Sequence, residues 1–197
     1  MNIDEHLAAR VVWLIFIAIW VALRWRPNVR SRRTRVKRTH RSLREQAVYA
    51  TSYAGLGLLP GIWVFTGFPR SLNFEPLPYA LIVGTILFAT SLVLFQMTHK
   101  ALGRMWSNSL DLREEHRLIT TSIYTRLRHP MYTAFWLWAL AQMFTLPNWL
   151  AAFSGTVGFG TLFFLRIGAE ERMMEEEFGD EYRAYVKRTK RIIPGIY

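Results

Sequence analysis

Apolar and cationic residues are segregated along this chain. Long runs without charge alternate with polar segments that hold nearly all of its 25 Lys and Arg, where a water-soluble domain interleaves the two at helix or strand period. A hydrocarbon core about 30 Å thick needs roughly 20 mostly apolar residues per helical crossing. Five blocks answer to that description: Leu7–Leu23, Ala47–Phe68, Tyr79–Met97, Pro130–Leu146 and Trp149–Ile167. The expected fold class is therefore all-α, a polytopic membrane protein with five transmembrane helices in a single domain over residues 1–197. The first block reads as a retained helix and not a cleaved signal, because Asp4 and Glu5 precede it and the basic run follows it. Gly55, Gly57, Pro60 and Gly61 inside the second block predict a kink near Pro60. Only Pro147-Asn148 separates the last two blocks, which forces an antiparallel helical hairpin.

Cytoplasmic loops of membrane proteins carry the excess of Lys and Arg. Ten cations lie in Arg24–Arg44, six in Thr98–Arg128 and six in Gly168–Tyr197, against Arg10 and Arg70 on the other side. The amino terminus is therefore expected outside, and both long polar segments and the carboxyl terminus in the cytoplasm. The formal net charge of +11 then has a topological origin, so no nucleic-acid partner is expected. The run Arg24–Arg44 serves as a topology determinant and is also suited to anionic lipid head groups, at about 1 kcal/mol per cation. The lack of cysteine excludes disulfides, thiolate metal sites and cysteine nucleophiles. The five histidines lack metal-ligand spacing, so no metal is expected. A glycine-rich phosphate loop and a serine nucleophile elbow are missing as well.

Chemistry-bearing residues concentrate in 98–197, which leaves 1–97 as three membrane helices. Arg128-His129-Pro130-Met131-Tyr132 opens the fourth block with a proline, and the backbone amides just before it would be free to bind an anion; a plain helix start with an interfacial tyrosine is the alternative. Arg166 and Glu170 are four residues apart and share a helix face. The antiparallel hairpin brings them level with His129 and Tyr132. Ionisable groups at that depth tend to mark function, with snorkelling and a local ion pair as the competing explanation. The tail with Tyr182, Tyr185 and Val186 suits either an amphipathic helix on the membrane surface or a segment folded back over the bundle. The residues alone thus give a bundle with a cytoplasmic polar pocket of His, Tyr, Arg and Glu, without naming a reaction.

The carboxyl-terminal half, with Leu102-Gly103, Trp106-Ser107, the 128–132 pentad, the hairpin, Glu170-Glu171 and Phe178-Gly179-Asp180-Glu181-Tyr182, resembles the isoprenylcysteine carboxyl methyltransferase family, and the length and five-helix plan are similar to its compact prokaryotic members. The resemblance implies an integral membrane enzyme that moves a methyl group from S-adenosylmethionine to the carboxylate of a lipidated, prenylated cysteine. It implies a cofactor pocket of His116, Arg117, Leu118 and Ile119, then Tyr124, then His129, Pro130, Met131 and Tyr132, and Glu170. It also implies that Arg166 holds the substrate at the catalytic centre. A carboxylate nucleophile is already ionised at neutral pH and needs no general base. A phospholipid N-methyltransferase is the alternative enzyme, although its amine must shed a proton and Arg166 would repel its ammonium form. A membrane scaffold whose polar cluster is only an ion-pair network is the non-enzymatic alternative.

Overall fold

The computed structural model describes the backbone of residues 3–32, 36–39, 43–103, 111–113 and 117–197, and side chains within 5–25, 43–103 and 117–197. Each of the five apolar blocks forms a helix: α1 (Ile3–Arg32), α2 (Leu43–Thr66), α3 (Ala80–Leu102), α4 (Pro130–Thr145) and α5 (Trp149–Arg188). Four of these, α1, α2, α3 and α5, are long and apolar enough to cross a membrane. The remaining helix, α4, has 16 residues and a length of about 24 Å. Proline fixes both of its limits, at Pro130 and at Pro147 just beyond Leu146. Large apolar side chains such as Phe65, Ile82, Val157 and Phe164 stand exposed on the outside of the bundle, an arrangement that suits lipid and not water.

Aromatic packing holds the interior. Phe88 of α3 meets Trp138 of α4 edge-on at 4.8 Å between centroids, in a cluster with Trp13, Trp63 and Leu92. A second cluster joins Tyr132 to Phe159, Phe163 and Ile167 across the α4–α5 hairpin. Edge-to-face pairs of this kind add about 0.5–1.5 kcal/mol each beyond the area they bury.

The kink expected near Pro60 takes the form of a π-turn over Ala54–Leu58, one turn earlier, where the Leu59 N–H donates to the Ala54 carbonyl. Pro60 offers no N–H and its ring crowds the preceding turn, so widening that turn relieves both. The same turn packs against α5. A Cβ placed on Gly55 would collide with the Ser154 backbone, and one on Gly158 with the Thr51 carbonyl. Two glycines thereby let α2 and α5 approach at backbone distance, as small residues do between membrane helices. The Gly55 carbonyl accepts from Ser154 Oγ at 2.8 Å and from Gln142 Nε2 at 3.3 Å.

Two features differ from the sequence expectations, and a third settles an open one. The two long polar segments are joined by an antiparallel ribbon of β1 (Val36–Thr39) and β2 (Asp111–Arg113); strands this short carry no periodic signal. Helix α5 continues well past its apolar stretch, which ends near Ile167, as a charged extension to Arg188. Gly179, at φ 52° and ψ −123°, breaks that extension in a conformation that glycine adopts without steric penalty. The segment after it then folds back over the bundle: Lys190 and Arg191 offer their carbonyls to the Arg128 and His129 N–H groups at 2.7 and 2.9 Å. The fold-back resolves the choice left open for the tail.

Candidate functional site

The start of α4 and the end of the apolar part of α5 lie side by side, as the hairpin requires. The Tyr132 hydroxyl donates to Glu170 Oε2 at 2.6 Å. Arg166 Nε is 3.6 Å from the same oxygen, one helical turn earlier. His129 stacks on Tyr132 and its Nδ1 lies 3.8 Å from Glu170 Oε1. From α2, the Tyr49 ring lies under the Arg166 guanidinium at 4.8 Å, a cation–π contact that holds the head group in place. Glu170 thus presents a carboxylate already oriented on one oxygen, with acceptor capacity remaining on the other.

Its neighbour does something else. The Glu171 carboxylate accepts from Arg128 Nη2 at 3.1 Å, His129 Nε2 at 3.3 Å and Arg191 Nη2 at 2.6 Å. Glu171 lies beyond the apolar stretch of α5. Burial alone would raise its carboxyl, but hydrogen bonds from His129 and Arg191 and the charge of Arg128 outweigh that and hold it at about 2. This carboxylate ties the tail to the α4 start and takes no place on the cavity wall. The fold-back also overturns one sequence expectation. The Arg128 and His129 amides are not free for an anion, because the tail carbonyls occupy them.

A cavity of about 300 Å³ opens beside this cluster and runs inward between the helices. Its polar end is lined by Arg117, Leu118, Ile119, Tyr124 and His129 from the segment before α4, by Met131 and Tyr132 of α4, and by Arg166 and Glu170 of α5. Its inner wall is apolar, with Ile17, Trp20, Leu56, Phe95, Trp138 and Phe159. Of the residues expected at the site, Pro130 is buried at the α4 start and lies off the wall; His116 falls outside the described residues. Sequence reasoning missed Tyr49, Tyr53, Trp20 and Arg24 from the first two helices, and Tyr182 and Tyr185 from the tail. Within apolar helices no periodicity says which side faces a cavity. The Tyr182-Tyr185 spacing was visible, but its destination depended on the Gly179 turn.

These features define a class: an integral membrane helical bundle with an internal site that joins a polar, charged mouth to an apolar interior. Residues 81–176 match the isoprenylcysteine carboxyl methyltransferase (ICMT) family. A protein of Oryza sativa subsp. indica named a probable protein-S-isoprenylcysteine O-methyltransferase is 28% identical over 166 residues, covering 83% of this chain and 84% of that protein. The Schizosaccharomyces pombe protein-S-isoprenylcysteine O-methyltransferase is 35% identical over 83 residues, 42% of this chain and 35% of that one. The solved structure of a eukaryotic intramembrane Ras methyltransferase, ICMT, superposes with a TM-score of 0.54 at 21% identity, over 80% of this chain and 54% of that one. By sequence over 81–176 this chain resembles the isoprenylcysteine carboxyl methyltransferase family, and over most of its length it shares the fold of that solved structure.

Proposed function

We propose that the protein is an S-adenosylmethionine-dependent carboxyl O-methyltransferase acting on a lipid-tailed carboxylate such as a C-terminal S-isoprenylcysteine. One observation carries this reading: a single cavity joins the Tyr132–Glu170–Arg166 cluster to an apolar compartment among the helices. A water-soluble donor and a lipid-tailed acceptor need both environments in one place. The whole chain, 1–197, acts as one unit, since residues of 1–97 and of 98–197 share the wall.

The residues present fit the donor. Glu170 offers a carboxylate for its ammonium, Tyr124 and Tyr132 offer ring faces to its sulfonium, and Leu118, Ile119 and Met131 offer apolar surface. Arg117 and His129 border the same end, His116 precedes Arg117, and Pro130 sets the start of α4. When bound, S-adenosylmethionine supplies the methyl group. The protein's own part is to bind, orient and exclude water. Arg166, stacked on Tyr49, holds the acceptor carboxylate as its counter-ion. The aromatic inner wall takes the lipid tail and keeps water away. Positioning of this kind can supply on the order of 7–11 kcal/mol of a barrier. No general base is needed, because a carboxylate is ionised at neutral pH. The cation bias supports a cytoplasmic side for this end of the bundle and for the carboxyl terminus, with the amino terminus outside.

The test is an acceptor panel. Purified protein with labelled S-adenosylmethionine is expected to methylate a farnesylated cysteine analogue. Methyl incorporation only into phosphatidylethanolamine would overturn the carboxylate assignment in favour of an amine acceptor, and no binding of S-adenosylmethionine by folded protein would favour the scaffold.

A further inference from the structure

The tail helix after Gly179 brings two tyrosines to the polar end of the cavity, and the two differ in one respect. The Tyr185 hydroxyl donates to the Tyr124 carbonyl at 2.7 Å, which fixes the tail helix to the segment before α4. The Tyr182 ring also lines the cavity and the residue is 4% exposed. Yet its hydroxyl is buried without a hydrogen-bond partner among the described residues. Burial of both phenols pushes their titration upward, that of Tyr185 to about 12, so both are donors at any physiological pH. A buried hydroxyl left without a partner is destabilising; on this wall Trp20 Nε1, Trp138 Nε1 and Arg166 Nε are buried without hydrogen-bond partners as well, and Tyr182 alone of these four side chains comes from the tail helix, so its hydroxyl at the polar end points to a ligand.

The ligand group follows from what surrounds it. Tyr182 lies within electrostatic reach of Glu170, Glu171 and Arg128. Glu171 and Arg128 are engaged with each other and with the tail. Glu170 is the carboxylate assigned above to the donor's ammonium. The carboxylate of the same amino-acid moiety is borne on the same carbon as the ammonium and requires a hydrogen-bond donor. The Arg128 and His129 amides, the obvious candidates in the sequence, are spent on the Lys190 and Arg191 carbonyls. We infer that the Tyr182 hydroxyl is a further donor-binding contact, giving its hydrogen bond to the α-carboxylate of S-adenosylmethionine while Glu170 takes the ammonium.

The inference rests on the reading that this cavity binds S-adenosylmethionine, and one experiment separates the two. Affinities of the detergent-solubilised full chain for S-adenosylmethionine and for its decarboxylated analogue are measured by calorimetry, for wild type, Tyr182→Phe and Tyr185→Phe. A hydrogen bond to a charged group corresponds to roughly tenfold to hundredfold in affinity. Tyr182→Phe is expected to lose about that much toward S-adenosylmethionine and little toward the decarboxylated analogue. Its ligand-free thermal stability is expected to hold or rise, because an unsatisfied hydroxyl has been removed. Tyr185→Phe is expected to lower stability instead. Unchanged affinity of Tyr182→Phe for S-adenosylmethionine, or an equal loss toward both ligands, would overturn the assignment while leaving the cavity as the donor site. Failure of the folded wild type to bind either ligand would overturn the functional reading and this inference with it.

Discussion

Replacing Glu171 by Gln removes the charge that fastens the tail to the bundle, and the structure sets the size of the effect. The carboxylate is 15% exposed and faces the Arg128 guanidinium, 8% exposed, and the Arg191 guanidinium, 34% exposed. A carboxyl held at about 2 in place of its ordinary 4.5 contributes about 3 kcal/mol to folding at neutral pH. Removing one partner of a buried ion pair costs about 3–5 kcal/mol, and the partial exposure of Arg191 favours the lower end. Loss of about 3 kcal/mol is therefore expected, concentrated where the tail meets α4. The native carboxyl is depressed, so its contribution is complete above pH 4.5 or so and is lost as pH falls toward 2. Hydrogen exchange in detergent is the assay: the Arg128 and His129 amides, which donate to the tail, should exchange on the order of a hundredfold faster in Glu171→Gln, with α3 protection unchanged. Wild-type protection of those two amides in the variant would refute the reasoning, since the carboxylate would then not be what holds the tail down.

Glu170→Ala is expected to weaken S-adenosylmethionine binding by tenfold or more, because it removes the carboxylate proposed as the ammonium's partner; calorimetry checks it. Arg166→Ala should abolish turnover with donor affinity largely kept, as measured by single-turnover methyl transfer beside a binding titration. Gly55→Ala should destabilise by about 1–3 kcal/mol, since its Cβ meets the Ser154 backbone, whereas Gly57→Ala, with open space around its Cβ position, should leave thermal unfolding in detergent nearly unchanged.

Much of this architecture is legible in the residues because a bilayer imposes one length scale on apolar runs. The five blocks became five helices, and the two-residue link at Pro147-Asn148 was enough to place Tyr132 against Glu170. Spacing rules of this kind act locally and survive any tertiary context. What stayed hidden depends on interhelical packing. The register that puts Tyr49 under Arg166 is set by Gly55 and Gly158, and neither residue announces its partner in the sequence. The anion site expected at the Arg128 and His129 amides failed for a related reason: a segment sixty residues downstream competes for those donors, and its route hangs on the backbone of Gly179. Glu170 and Glu171 are adjacent and chemically identical, yet the helix turns one toward the cavity and the other toward the tail.

The brevity of α4 has a consequence for where chemistry can take place. At about 24 Å it is some 6 Å shorter than a hydrocarbon layer of about 30 Å, so if α4 crosses with its neighbours, the bilayer has to thin around it or its ends have to sit below the head groups. Its beginning, next to His129 and with Tyr132, would in that case be a recess reached from water yet sunk to the level of acyl chains. A carboxylate tethered to a greasy anchor would meet its reagent there without being hauled out of the leaflet.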